Sequence, residues 1–132
     1  MGISDFTLGC IADIYEAVER VNISLGGGAG FSESAFQNAL AAELGDCQTE
    51  VTRAIYHKRK DGCNIAVGTV RFDIVYFNII LEIKVYATKS KAMGIPPQLQ
   101  AQLRAYKRLL FNHEYLYSVC FYRDGFGITG PC

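Results

Sequence analysis

No C-x-x-C pair and no Cys/His cluster occurs in this chain; its five cysteines (Cys10, Cys47, Cys63, Cys120 and Cys132) stand singly. An odd count without regular spacing argues against a disulfide framework and against a zinc knuckle, and reads as thiols in a reducing compartment. No apolar run approaches the roughly 20 residues of a membrane span. Met1 to Asp5 lack a basic segment, and the helical pattern behind them carries Asp13, Glu16 and Glu19, so no signal peptide is expected. The reading is a cytoplasmic protein (nuclear if eukaryotic) that is not secreted. Net charge is absent too: 13 Lys+Arg face 13 Asp+Glu. That balance counts against a nucleic-acid coat and leaves only local patches to hold a polyanion. The densest glycine stretch, Gly26 to Gly30, follows a helical pattern and lacks both a Lys-Ser/Thr and a G-x-G-x-x-G frame. It reads as a link between helices rather than a phosphate loop.

What remains is a chain of 132 residues, half of them apolar, which suits one domain spanning 1–132 without repeats. Ile11, Ile14, Tyr15 and Val18 recur at helical spacing between Ser4 and Val21. Phe31 to Leu44 predicts a second helix, with Ser32 as its N-cap and Ala35, Phe36, Ala39, Leu40 and Leu44 as its stripe. Glu50 to Tyr56 suits a strand, and the charged segment His57 to Gly62 a turn. Ile65 to Ala87 is the most β-like region and breaks at Phe77-Asn78 into a hairpin. Lys89 to Pro97 reads as a loop, and Gln98 to Phe111 as a helix with Leu99, Leu103, Tyr106 and Leu110 on one side. Tyr115 to Tyr122 forms a last strand, to which the glycine-rich tail adds a short one. The order α-α-β-β-β-α-β predicts an α/β fold, a mixed central sheet flanked by helices.

In the strand Ile79 to Tyr86, alternation sends Leu81, Ile83 and Val85 one way, Glu82 and Lys84 the other. A lone Glu-x-Lys on a strand is most often a solvated face. Asp73 changes the balance, because it lies in the apolar run Phe72 to Tyr76, where an unpaired carboxylate is costly. It either pairs with its same-face neighbour Arg71 or stands beside Glu82 across the hairpin. In the second case two carboxylates need a cation between them, and Mg²⁺ suits hard oxygen ligands of this kind. An adjacent lysine then helps to position a water and to balance phosphate charge.

The pattern Asp73, eight residues, Glu82-Ile83-Lys84 resembles the PD-(D/E)XK nuclease superfamily, whose fold is restriction-endonuclease-like. Gly30 to Phe36, Ala39-Leu40 and Glu43-Leu44 resemble the opening of its GxxExxY family, and Glu50, Arg71-Phe72-Asp73 and Gln102 to Tyr106 fall where that family has E, R-x-D and Q-x-x-x-Y. The likeness runs from about Ile11 to Phe111. Phe36 stands in place of a tyrosine and Phe72 in place of the nominal proline; neither change removes a metal ligand.

The resemblance implies a nuclease acting on DNA, or on RNA, with Mg²⁺ (or Mn²⁺) held by Asp73, Glu82 and the Ile83 carbonyl. It implies that Lys84 positions the water, that Glu33 serves metal-bound water or Lys84, and that Gln102 contacts phosphate or the lysine. For Glu33 an exposed acid at a helix start, favoured by the dipole, reads equally well. Backbone grip falls to Lys58, Arg59 and Lys60 with Arg53 on one flank, and to Lys89, Lys91, Arg104, Lys107 and Arg108 on the other. The small size favours structure- or end-selective cleavage in repair, recombination or replication, and a junction resolvase working as a homodimer stays open. The competing reading is an inactive nuclease fold that binds DNA or serves as a scaffold; the intact Asp73, Glu82 and Lys84 argue against it.

Overall fold

The computed structural model describes residues 4–25, 32–86, 97–110, 113–122 and 125–131. Two helices come first, α1 (Asp5–Leu25) and α2 (Glu33–Leu44). Three strands follow, β1 (Gln48–Lys58), β2 (Asn64–Tyr76) and β3 (Ile79–Tyr86), then α3 (Pro97–Lys107), β4 (Tyr115–Tyr122) and β5 (Gly125–Thr129). The sheet runs β1-β2-β3-β4-β5, and every neighbouring pair is antiparallel except β3 and β4. A parallel pair needs a crossover rather than a hairpin, and α3 lies on that connection. The expected α/β order with a mixed sheet holds, and the tail supplies the fifth strand.

Two apolar clusters show how the sheet is covered. Ile79, Leu81 and Ile83 of β3 pack with Ile14, Val18 and Val21 of α1 and Phe36 and Leu40 of α2. Ile80, between them in sequence, packs instead with Leu103 of α3, Phe72 and Leu116. The alternation of β3 thus sends one row of side chains to the helical pair and the other to α3. Phe36 stacks on Phe121 with ring centroids 4.3 Å apart, closing the first cluster.

Local signals explain most boundaries. Ser32 is extended at φ −80° and ψ 164°, and its Oγ accepts from the Ala35 N–H at 3.2 Å, so α2 starts where an N-cap serine lets it. The β2–β3 hairpin turns at Phe77-Asn78, where Phe77 takes a positive φ of 54°. Asn78 Nδ2 then donates to Thr7 Oγ1 at 2.8 Å, which fastens the turn to α1.

Three expectations are corrected. Tyr15 lies 46% exposed, and the buried stripe of α1 is Cys10, Ile14, Ala17, Val18 and Val21. Strand β1 is longer at both ends than Glu50 to Tyr56, because β2 runs alongside it from Asn64 to Val75 and supplies hydrogen bonds to polar residues. Helix α3 ends at Lys107 rather than Phe111: tighter turns follow, with Leu109 N–H donating to the Tyr106 carbonyl, and Leu109 and Leu110 tuck against the second cluster. Cys10, Cys47, Cys63 and Cys120 are free thiols. No described helix is long and apolar enough to cross a membrane. The expected loop from Lys89 lies outside the described residues.

Candidate active site

The β2–β3 ladder pairs Tyr76 with Ile79, Val75 with Ile80 and Ile74 with Leu81, and then stops. Strand β3 continues to Tyr86 alongside β4, so the two hairpin strands part at the next step, where Asp73 faces Glu82. In the gap the Asp73 side chain replaces the ladder: its Oδ2 accepts from the Ile83 N–H at 2.8 Å.

A change of face accompanies the parting. Ile74 and Tyr76 belong to the cluster under α1 and α2, whereas Phe72, two residues earlier, belongs to the cluster under α3. Strict alternation would keep all three on one side. On β1, Glu50 lies between the pairs Thr49–Ile74 and Val51–Phe72 and has a φ of 54°. A non-glycine residue in the left-handed region costs about 1–2 kcal/mol. Both strands therefore kink together at Glu50 and Asp73, and strain of this kind gathers where a site needs an unusual chain path. Arg71 pairs with Glu50 at 3.8 Å, and not with Asp73, which corrects the first of the two sequence readings for that carboxylate.

Glu82 is only 3% exposed. Its Oε1 accepts from Gln102 Nε2 at 3.3 Å, and the same nitrogen donates to the Tyr106 hydroxyl at 2.8 Å. Gln102 thus braces Glu82 rather than the lysine. Glu82 Oε2 is buried with no donor aimed at it among the described residues. Burial, and then the charge of Asp73, push the Glu82 carboxyl up to about 8, and burial raises Asp73 as well, against the pull of the Ile83 N–H and Lys84. Lys84 Nζ lies 4.0 Å from Glu33 Oε1, at the first turn of α2. Asp73, Glu82, Lys84, Glu33 and Gln102 are therefore brought together from four elements, β2, β3, α2 and α3.

Two crowded carboxyl groups with an orphaned buried oxygen form a donor set short of positive charge, and this fits a hard divalent cation. Among the described residues, no group of three or more His, Cys, Asp or Glu side chains is arranged so that all of them could hold one metal ion. The protein would supply two side chains and the neighbouring Ile83 carbonyl. Mg²⁺, which keeps several waters and takes one or two carboxylates, suits so sparse a set better than a cation that needs a full protein cage.

The raised carboxyl makes stability depend on pH. Folded Glu82 binds its proton more tightly than the unfolded chain does, so its contribution is complete below the ordinary 4.5 and disappears as pH climbs through about 8. The Tm of metal-free protein should fall across that window, and Glu82→Gln, which carries no titrating proton, should flatten the fall. Thermal melts in chelator at stepped pH check this; an unchanged slope in the variant contradicts it.

The remaining candidates spread outward. Lys58, Arg59 and Lys60 are exposed at the β1–β2 turn, and Arg104, Lys107 and Arg108 at the end of α3. Arg104 and Lys107 also line a cleft of about 380 Å³ with Thr129 and Pro131 of the tail. Lys89 and Lys91 lie outside the described residues. Arg53 is not free for a phosphate, because it is held by Glu114. Sequence reasoning missed Ser118, which is fully buried and stands in register with Glu82 on β4. Its signal was a lone small polar residue inside the apolar strand Tyr115–Tyr122.

A family model of the PD-(D/E)XK nuclease superfamily matches residues 9–121. No curated protein and no solved structure matches the chain.

Proposed function

Since the chain belongs to the PD-(D/E)XK nuclease superfamily, whose nucleases generally use divalent metal ions, we propose that it is a Mg²⁺-dependent nuclease cleaving DNA phosphodiester bonds. The observation that carries this is the pair of half-buried Asp73 and buried Glu82, whose orphaned Oε2 lies one residue from Ile83 and two from Lys84. Asp73, Glu82 and the Ile83 carbonyl hold the ion, and Mn²⁺ substitutes for it. Once bound, it supplies positive charge at the scissile phosphate.

The other residues work around that centre. Lys84 orients the attacking water and offsets charge on the phosphate in the transition state. Glu33, whose Oε1 lies 4.0 Å from its Nζ, aims the lysine. Gln102, anchored on Tyr106, fixes the rotamer of Glu82 and so the position of its free oxygen. Lys58, Arg59, Lys60, Arg104, Lys107 and Arg108 contact backbone phosphates, which carry affinity without reading bases. This favours selection by structure or by ends, in repair, recombination or replication. The segments that resemble the GxxExxY family support placing the chain with that group.

The test is a panel of linear duplex, single-stranded, flapped and four-way DNA, with matched RNA, in Mg²⁺, Mn²⁺ or chelator. Cleavage of at least one DNA form that stops in chelator is the expected result. Inactivity on every DNA form rejects the enzyme reading, and preference for RNA corrects the substrate.

A further inference from the structure

Beyond Asp73, strands β1 and β2 leave the sheet. β3 pairs with β2 only at Ile74, Val75 and Tyr76, while β1 accompanies β2 all the way to Asn64. Among the described residues, then, the stretch Asn64 to Phe72 has β1 alone as its neighbouring strand. Side-chain burial ends a few residues further out: Phe72 is still buried and Val70 packs beside it, but every residue from Tyr56 to Thr69 is exposed, including Tyr56 at 62% and Val67 at 61%. The result is a two-stranded ribbon rooted at the Asp73–Glu82 pair.

Its charge is unlike that of the rest of the chain. Val51 to Arg71 holds five of the 13 Lys and Arg residues but only Asp61 of the 13 Asp and Glu residues. A molecule with no net charge has therefore concentrated its positive charge on one projecting element, leaving the remainder acidic. Two of those cations, Arg53 and Arg71, are paired with Glu114 and Glu50 near the root. The others, Lys58, Arg59 and Lys60, crowd the exposed turn, where Arg59 lies 3.8 Å from Asp61.

Resting on the nuclease reading above, we infer that the β1–β2 ribbon is a duplex-gripping arm whose tip holds backbone phosphates about one helical turn from the cleaved bond. The length follows from the chain. Asp73 to Asn64 at about 3.3 Å per residue spans about 30 Å. Nucleotides advance about 3.4 Å per step along one strand of a duplex, so the tip falls about nine base pairs from the metal site. A ribbon of two strands also has the width that a DNA groove admits. Its net positive charge disfavours the other occupant of such an arm, the same arm of a second copy, which would meet it with like charge.

The arm sets a step in the dependence of affinity on substrate length. Fluorescein-labelled duplexes that extend from about 4 to about 16 base pairs beyond the cleaved position should bind about ten-fold more tightly once the extension passes about nine. Lys58→Gln/Arg59→Gln/Lys60→Gln should remove that step and make the slope of log K against log salt shallower by about 2 to 3, close to 0.9 for each lost phosphate contact. Asp61→Lys, in the same exposed turn, should raise the step and steepen the slope. Binding titrations in Ca²⁺, together with cleavage in Mg²⁺, read both properties. A wild type that cleaves with no length step, or a triple variant that keeps the step, overturns the arm and leaves the nuclease reading standing. A length step without cleavage supports the arm and removes the nuclease reading, while no binding to any duplex overturns both. A dimer that the triple variant abolishes, at unchanged DNA affinity, assigns the ribbon to a second copy and overturns the arm.

Discussion

Asp73→Ala should lower cleavage by at least about 10³-fold and Lys84→Ala by about 10²- to 10³-fold, with duplex affinity nearly unchanged in both. The two losses have different origins, and metal binding separates them. In the proposed site Asp73 is one of two carboxylate ligands, so its removal would leave Glu82 to hold an ion with backbone and water alone; Mn²⁺ binding, followed by electron paramagnetic resonance, should collapse. Lys84 is no ligand in that proposal. Its loss should leave Mn²⁺ binding in place, or strengthen it by removing a nearby positive charge, while single-turnover cleavage falls. Unfolding does not explain the Asp73 result in advance. Losing the acceptor of the Ile83 N–H costs about 1–3 kcal/mol, but the same change relieves the repulsion that, after burial, raises the Glu82 carboxyl. A Lys84→Ala variant that cleaves at the wild-type rate would remove the lysine from the transition state.

The residues of this site were legible, but their geometry was not. Glu82 and Lys84 share a face because strand side chains alternate, and the turn at Phe77-Asn78 sets the hairpin register, so a local pattern was enough to place Asp73 opposite Glu82. The kink that separates Phe72 from Ile74 depends on Glu50, more than 20 residues away on another strand, and nothing local to Asp73 announces it. Gln102 shows the same limit. Its position near the site followed from family likeness, yet its partner is the carboxylate because Tyr106, one helical turn on, holds the amide from the other side. In α1 the misjudged residue was Tyr15. Burial there goes to Cys10 and Ala17, small residues that let α2 and the sheet approach closely but add little to a hydrophobic pattern.

Strain and repulsion at this site have a common reading. The positive φ of Glu50, the broken ladder at Asp73 and the raised Glu82 all cost stability in the metal-free chain. They persist because the two clusters above and below the sheet fix the strands on either side of the kink. A bound cation would repay the electrostatic part, so metal should raise Tm most at pH above about 8, where Glu82 has given up its proton.

The second large effect lies at the root of the ribbon. Arg53 donates to both Glu114 carboxylate oxygens, at 2.6 and 2.7 Å, and to the Leu109 carbonyl at 3.2 Å, with its guanidinium 5.1 Å from the Phe72 ring centroid. The side chains are only 17% and 5% exposed, so this pair escapes most of the solvent screening that makes surface ion pairs weak. Glu114→Ala should therefore cost about 3–5 kcal/mol, because it removes the bidentate carboxylate partner of a half-buried guanidinium packed on an aromatic ring. Arg53→Met with Glu114→Leu should recover most of that loss, since the penalty belongs to the stranded charge rather than to the absent bond. Urea titrations of the two single variants and the double variant close the cycle. A cost below about 1 kcal/mol for Glu114→Ala would mean that water reaches Arg53 after all. The same comparison bears on the arm. If the ion pair sets the direction in which the ribbon leaves the sheet, the double variant should be stable yet bind duplexes with a blurred length step. If packing on Phe72 alone sets that direction, the step should return with the stability.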